Sequence, residues 1–235
     1  MSEQPYDLRR VIDEIKQEPG QYHETDVEVD PDAELSGVYR YISAGGTVKC
    51  PTKEGPAMMF NNIKGFPGTR IFIGAMASRK RDGLMLHHDY KTLGRLLKDS
   101  VEHPVAPVVV SSDKAPVQEV VYKATDKDFD IRKILPAPTN TEYDAGPYIT
   151  EGLVLGSNPD KSMTDVTIHR MVLEGKDTIG MYIMPGGRHI GNFQKQFEKL
   201  DKPMPITINI GLDPAITIGA TFEPPTTPLG YDELN

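Results

Sequence analysis

The sequence predicts an α+β fold, with a small N-terminal α/β domain followed by a mostly antiparallel, split β-barrel domain. The first half contains both amphipathic and β-rich stretches, whereas the second half is mainly one β-rich stretch after another. Glycine (21 residues) and proline (20 residues) are plentiful but not periodic, which favours many turns between short strands. A stretch rich in proline and valine ends at Ser111-Ser112-Asp113, so we predict domains over residues 1–112 and 113–235.

The first domain is predicted to contain two helices and two strands. From Asp7 to Lys16, apolar residues recur at the i, i+3, i+4, i+7 spacing of one helical face, and Pro19-Gly20 ends the pattern. The other predicted elements are a strand over Gly37–Ile42, a buried strand over Arg70–Ala77 and a helix over Thr92–Val101.

The second domain is predicted to be a series of strands interrupted by one long helix. Asp213 and Pro214 have the residue types of an N-cap and a first helical position, which indicates a short helix near the end. The predicted strands are Val117–Tyr122, Tyr148–Leu155, Val166–Leu173, Thr178–Met184 and Ile206–Ile210, and the long helix is Ile190–Leu200.

Composition excludes several classes of protein. Lys and Arg total 26 and Asp and Glu total 34, so the net charge of −8 argues against binding nucleic acid mainly through phosphates. The N-terminus resembles no signal peptide, and no run of about 18 apolar residues could span a membrane. Cys50 is the single cysteine, which favours a reducing compartment. We therefore expect a cytoplasmic protein without nucleic-acid or membrane partners.

Several common motifs are absent or incomplete. The sequence has no G-x-G-x-x-G fingerprint, P-loop or G-x-S-x-G elbow. The Asp126–Asp130 run imitates the start of a calcium loop but lacks the required glycine and glutamate, so a solvated turn is favoured. His87 and His88 are adjacent, and their side chains would point apart on a regular element, which favours a surface role over a shared metal.

The polar residues of one predicted strand are the strongest functional signal. Asp165, Thr167 and His169 fall on one face of this strand and Arg170 on the other, because strand side chains alternate. If Asp165 and Arg170 serve one site, the strand must twist or bulge, or a large ligand must wrap its edge. A solvated strand face with a cross-strand ion pair is an equal alternative.

A glycine-containing loop, Met184 to His189, leads into the long predicted helix. Gly186-Gly187 allows close approach of the backbone to a ligand, and free N–H groups at the helix start, beside Arg188, suit an anion such as phosphate. His189 is then a candidate ligand or base. The alternative is a glycine turn followed by a basic cap.

In this order and spacing, these pieces resemble the UbiD family of prenylated-flavin-dependent decarboxylases over essentially the whole chain. Within the family, the sequence resembles in particular the large catalytic subunits of gallate and protocatechuate decarboxylases. The residues that carry the resemblance are Gly146–Thr150, Asp165–Arg170, Gly187–His189, Lys202–Pro205 and Gly211–Ala215.

The resemblance implies a prenylated FMN whose phosphate is tied to the protein through a divalent metal, usually Mn²⁺, often with K⁺ nearby. The family's metal ligands match Asp165, His189 and Glu233, and oxygen and imidazole ligands suit such an ion. Arg170 matches the catalytic arginine, which orients the substrate carboxylate. The implied cofactor-binding residues are Asp165, Thr167, Ile168, His169, Arg170, Arg188 and His189.

The implied activity is non-oxidative decarboxylation of gallate (3,4,5-trihydroxybenzoate), or of a related hydroxybenzoate such as protocatechuate, to pyrogallol or catechol plus CO₂. A flavin prenyltransferase would supply the cofactor, and the full-length protein would be a homo-oligomer. In the family the proton-donating acid lies well C-terminal of the metal glutamate, whereas this sequence stops two residues after Glu233. We therefore expect an N-terminal half, without the C-terminal oligomerisation domain and with the proton donor beyond Asn235. Two alternatives stay open: a non-catalytic flavin- and metal-binding module, and a general FMN split-barrel oxidoreductase.

Overall fold

The computed structural model describes residues 6–46, 50–184, 188–223 and 225–235, and its first part contains a small mixed sheet. The elements of this part are α1 (Leu8–Lys16), β1 (Tyr22–Thr25), α2 (Glu34–Ser43), β2 (Ala57–Phe60), β3 (Ile71–Ile73), α3 (Arg79–Met85) and α4 (Leu93–Glu102). The strand order is β1-β2-β3, with β1 and β2 parallel and β2 and β3 antiparallel.

The second part contains an antiparallel sheet that carries the predicted site strand. Its elements are α5 (Ile131–Ile134), β4 (Tyr148–Ser157), β5 (Thr164–Leu173), β6 (Ile179–Met181), α6 (His189–Lys199), β7 (Ile206–Asn209) and α7 (Pro214–Gly219). The strand order is β6-β5-β4-β7, and the sheet curls into a half-barrel. The predicted α+β fold is therefore confirmed. Among the described residues, no helix is both long enough and apolar enough to cross a membrane.

Helices α1, α4 and α6 confirm the predictions from periodicity. The Asp7 side chain caps α1 by accepting the N–H of Arg9 at 2.9 Å, and Val11 and Ile15 are completely buried. In α6, Ile190 and Phe193 are completely buried. Each helix therefore forms around one apolar face, as the spacing of its residues indicates.

The predicted strand over Gly37–Ile42 is wrong, because this stretch lies inside α2. Leu35 is completely buried, and Val38 and Ile42 follow it at helical spacing in the cluster that includes the core residues of β2. This apolar stripe outweighs the β propensity of the valine, tyrosine and isoleucine side chains, since tertiary packing overrides local propensity.

The predicted strand over Val117–Tyr122 is also wrong. The stretch begins in a 3₁₀ turn, Pro116–Gln118, and its valine and tyrosine side chains are exposed. β-Branched residues form a strand only where a neighbouring edge offers hydrogen bonds, and within the described ranges this stretch belongs to neither sheet. The strands predicted over Arg70–Ala77 and Thr178–Met184 exist but are shortened to β3 and β6.

Residues around the start of α2 connect the two parts of the molecule. Ala33 donates its N–H to the carbonyl of Thr139 at 2.8 Å, and Thr139 donates its N–H to the carbonyl of Pro31 at 3.1 Å. The buried Ser36 donates its hydroxyl to Asn140 Oδ1 at 2.7 Å. These contacts cross the domain boundary predicted at residue 112, and that boundary remains a prediction.

Candidate metal centre and adjoining cleft

Three buried side chains from distant parts of the chain converge beside the second sheet. Asp165 comes from β5, His189 is the first residue of α6, and Glu233 follows α7. His189 Nδ1 lies 4.0 Å from Asp165 Oδ1 and 3.9 Å from Glu233 Oε1, and one ligand atom of each residue lies within 4.8 Å of the others. Within the described part of the chain, this triad is the one group of at least three such residues that could hold a metal ion.

Secondary structure and one long-range hydrogen bond position the members of the triad. Asp165 points inward because β5 alternates, and α6 carries His189 while it packs against β4 and β5. Glu233 is placed through its neighbour Asp232, whose Oδ2 accepts the hydroxyl of Thr164 at 2.7 Å. Since Thr164 is the first residue of β5, this hydrogen bond brings Glu233 next to Asp165.

The ligand atoms of the triad lack hydrogen-bond partners. Both carboxylate oxygens of Asp165 and of Glu233, and both ring nitrogens of His189, are buried without a partner. An unpaired buried polar group costs about 1–3 kcal/mol, so such a cluster needs an interaction that offsets the cost. Two carboxylates and one imidazole are ligands that suit a divalent cation such as Mn²⁺ or Mg²⁺.

Burial raises the pKa of both acids in the triad. The pKa of Asp165 is raised above its usual range mainly by desolvation. The pKa of Glu233 is raised to about 8, first by desolvation and then by the neighbouring charge of Asp165. A cation between the two carboxylates would reverse both effects, because it favours the ionised forms.

A cleft of about 530 Å³ opens beside β5 and β6. Arg170 is exposed on its wall, and alternation along β5 places Arg170 and Ile168 on the face opposite to the buried Asp165 and Thr167. The cleft is lined by residues of the predicted site and by their neighbours, including Tyr148, Ile168, His169, Arg170, Tyr182 and Arg188.

The pairing of β4 with β5 is irregular opposite Arg170. Two residues of β4, Thr150 and Glu151, lie opposite this one residue of β5. Such a two-against-one pairing is a β-bulge, which bends the strand and increases its twist. A twist or bulge is one of the ways in which Asp165 and Arg170 were expected to serve a single site.

Two of the predicted flavin contacts are buried polar groups. Thr167 Oγ1 and His169 Nε2 lack hydrogen-bond partners. Burial lowers the pKa of His169, so its ring is neutral near neutral pH. The structure thus brings His169, Ile168 and Arg188 to one cleft, while their contact with a cofactor stays a prediction.

The loop before α6 lies partly outside the described residues, and this includes the predicted Gly186-Gly187 approach to a ligand. Arg188 Nη1 donates to Glu223 Oε1 at 3.0 Å, and the N–H of His189 donates to Glu223 Oε2 at 3.3 Å. Neither Glu223 nor Asp232 is among the site residues that the sequence predicts. No local signal marks either residue, because their partners lie far away along the chain.

The other polar clusters have structural roles. His87 Nε2 lies 3.0 Å from Glu14 Oε2 at the surface. Asp130 accepts the N–H of Arg132 at the start of α5 at 3.0 Å and pairs with its guanidinium at 2.9 Å. Neither cluster is a possible metal group in the described part of the chain.

Comparison with known protein families agrees with this architecture. The UbiD model, described as the 3-octaprenyl-4-hydroxybenzoate carboxy-lyase Rift-related domain, matches residues 108–235, which is more than half of the chain. The chain belongs to the UbiD family. The N-terminal domain model of the same carboxy-lyase matches residues 13–101.

Individual UbiD relatives match the chain along its whole length. Gallate decarboxylase of Lactiplantibacillus plantarum is 72% identical over 234 residues, which cover 100% of this chain and 48% of the relative. The apo 3,4-dihydroxybenzoic acid decarboxylase structure from Enterobacter cloacae is 56% identical with a TM-score of 0.89, covering 98% of this chain and 47% of the other. An evolved dimeric form of the UbiD-class enzyme HmfF from Pelotomaculum thermopropionicum, in complex with prFMN, is 28% identical with a TM-score of 0.85, covering 97% and 49%. The chain thus spans about half the length of these relatives.

Proposed function

We propose that this chain supplies the flavin- and metal-binding part of a non-oxidative hydroxybenzoate decarboxylase that acts on gallate or protocatechuate. The observation that carries the proposal is the buried triad of Asp165, His189 and Glu233, whose ligand atoms have no partners. The cleft along β5 and β6 presents Arg170 and also Arg188, the residue before His189. Membership of the UbiD family and 72% identity to a gallate decarboxylase support the proposal. The products would be pyrogallol or catechol plus CO₂.

The residues present fit a divalent metal and a flavin phosphate. Asp165 and Glu233 offer oxygens and His189 offers a ring nitrogen, all buried and unpaired, to Mn²⁺ or a similar ion, with K⁺ as a possible second cation. Arg188, at the start of α6, suits the phosphate of prenylated FMN. The bound prFMN named for the HmfF structure supports this cofactor. The remaining proposed flavin contacts are Thr167, Ile168 and His169.

Arg170 would bind the substrate carboxylate. Its guanidinium is planar and permanently charged, so it can hold both carboxylate oxygens at once, and it is exposed on the cleft wall. Loss of CO₂ from an aromatic ring leaves an electron pair on a ring carbon, and the prenylated flavin supplies the sink for that pair. In this proposal the ring carbon then takes up a proton, for which no donor is assigned within this chain.

A chimera tests the proposal. Residues 1–235 of this chain are joined to the second half of the Lactiplantibacillus plantarum gallate decarboxylase and produced together with a flavin prenyltransferase. We expect CO₂ release from gallate or protocatechuate and Mn²⁺ in the purified protein. The parent decarboxylase, produced in the same host, is the control. A folded, flavin-loaded chimera that releases no CO₂ from either acid would contradict the proposed activity.

The second candidate is a flavin- and metal-binding module without catalytic activity of its own. It is favoured by the coverage of the relatives, because this chain matches only 48% of the gallate decarboxylase. Under this alternative the chain alone shows flavin absorbance and bound Mn²⁺ but no CO₂ release. In either case we propose two kinds of partner. A flavin prenyltransferase supplies the cofactor, and further copies of the subunit form a homo-oligomer.

A further inference from the structure

Glu223 bridges two neighbouring groups at the start of α6. One carboxylate oxygen accepts from the Arg188 guanidinium at 3.0 Å, and the other accepts the backbone N–H of His189 at 3.3 Å. The Glu223 side chain is only 12% exposed, so this bridge is largely shielded from water. A shielded ion pair with a second hydrogen bond holds its geometry better than an exposed pair does.

Helix α6 lacks the usual cap from its own sequence. Arg188 occupies the N-cap position and makes no side-chain capping hydrogen bond, because arginine has no acceptor to offer the first N–H groups. The Glu223 carboxylate, from a different part of the chain, provides that acceptor. His189, the first residue of α6, therefore takes its backbone position partly from Glu223.

The backbone of Glu223 also organises the segment that leads to the third triad residue. Its carbonyl accepts the N–H of Thr226 at 2.8 Å and of Thr227 at 3.3 Å. Thr227 is completely buried, and the chain continues from it to Glu233. Glu223 thus contacts both His189 and the turn that precedes Glu233.

We propose that Glu223 is a positioning residue for the metal triad, which fixes His189 by accepting its backbone N–H at the start of α6. This inference rests on the proposed function, in which His189 is a metal ligand. Glu223 is not a member of the triad, and the triad residue to which it is hydrogen-bonded is His189. Removing a group that holds a metal-ligating ring typically weakens metal binding by about 10–100-fold, and because Glu223 holds the backbone of His189, we expect an effect at the lower end of this range.

The test compares Glu223→Ala with Glu223→Gln in this chain without flavin. Binding of Mn²⁺ is measured from the electron paramagnetic resonance signal of the free ion, and amide hydrogen exchange is followed in the first turn of α6. We expect Glu223→Ala to weaken Mn²⁺ binding at least about tenfold and to speed exchange. Glu223→Gln should recover most of both losses, because its amide oxygen can still accept the His189 N–H.

Asp130 offers a matched control, because it also pairs with an arginine and accepts a backbone N–H at a helix start. Asp130→Ala and Asp130→Asn should leave Mn²⁺ binding unchanged. Equal losses in both Glu223 variants would overturn the proposal, since they would indicate that the charge matters and the hydrogen bond does not. Unchanged binding in Glu223→Ala would overturn it as well.

If the triad is not a metal site, the same experiment gives a different result. In that case the unsubstituted chain binds no Mn²⁺, and the exchange data alone decide the role of Glu223. Faster exchange in Glu223→Ala, restored in Glu223→Gln, would then still support positioning of His189. Exchange that is unchanged in both variants would reject it.

Discussion

At the scale of single residues, the triad contains two buried acids whose negative charges repel each other when both are ionised. The pKa of Glu233 is raised to about 8 by burial and by Asp165. A carboxyl group with a raised pKa stabilises the fold fully only below its unfolded pKa and loses that contribution as the pH rises toward the folded value. In the metal-free protein, this pair of acids should therefore lower the free energy of unfolding above neutral pH.

Asp165→Asn should relieve that repulsion and weaken metal binding. At about pH 8 without metal, we expect the free energy of unfolding of the variant to exceed that of the original chain by about 2 kcal/mol. At about pH 5 the difference should be smaller, because Glu233 is protonated in the folded state. Added Mn²⁺ should stabilise the variant less than the original chain. Urea unfolding with and without Mn²⁺ measures both effects, with the exposed Glu119→Gln as control. Lower metal-free stability in Asp165→Asn would contradict the expected repulsion.

Arg170 is the residue on which the proposed substrate binding depends. In the chimera described above, Arg170→Ala should abolish CO₂ release while bound flavin stays largely unchanged, because the side chain lies exposed on the cleft wall and outside the core. Arg170→Lys should restore little activity, since an ammonium group lacks the planar fork. CO₂ release and flavin absorbance are measured on the same samples. Activity that survives in Arg170→Ala would show that another group holds the carboxylate.

At the scale of elements, helix α3 carries an acid that is half-buried in its first turn. One carboxylate oxygen of Asp82 is buried without a hydrogen-bond partner, and burial raises its pKa to about 6. The stability that this group contributes is therefore complete below its usual pKa and is lost as the pH rises through about 6. Near pH 7 the buried charge destabilises the helix.

Asp82→Asn should remove this dependence on pH. We expect the variant to be more stable than the original chain by about 1 kcal/mol at about pH 7.5, after allowance for partial solvent screening, and equally stable at about pH 4. Urea unfolding at both pH values measures the difference, and Asp99→Asn on the exposed side of α4 is the control. An identical pH profile for Asp82→Asn and the original chain would show that Asp82 stays solvated.

The sequence predicts those elements whose pattern is local. Helix α1 follows from one apolar stripe and its Asp7 cap, and β5 follows from its own alternation. The stretch inside α2 could be mistaken for a strand, because its helical stripe begins at Leu35, before the β-rich residues. Val117–Tyr122 has the composition of a strand but no neighbour among the described strands, and a strand needs a partner edge.

Some residues of the candidate site could likewise be proposed from the sequence, and others could not. Asp165, His189 and Glu233 could be proposed from family resemblance, but their approach to within 4.8 Å depends on how α6 and the end of the chain pack against β5. Glu223 and Asp232 could not be proposed, because each acts through a hydrogen bond to a residue far away in sequence. Such contacts leave no periodic or motif signal.

At the scale of the whole molecule, the two sheets are joined by hydrogen bonds between the start of α2 and the segment before β4. Ser36 and Asn140 form the side-chain contact, beside the backbone bonds of Ala33 and Thr139. Contacts of this kind couple the unfolding of the parts that they join. We therefore expect the two sheets to unfold together.

Ser36→Ala tests this coupling. Loss of this partly buried hydrogen bond should cost about 1 kcal/mol, because Asn140 Oδ1 loses its donor while alanine recovers some helix propensity. If the sheets are coupled, the slowest amides of β2 and of β5 lose protection by the same amount in hydrogen exchange. Ser100→Ala, which removes the exposed hydroxyl bond to the Leu96 carbonyl, should change neither strand. Loss of protection confined to β2 would mean that the boundary predicted at residue 112 also separates two independent unfolding units.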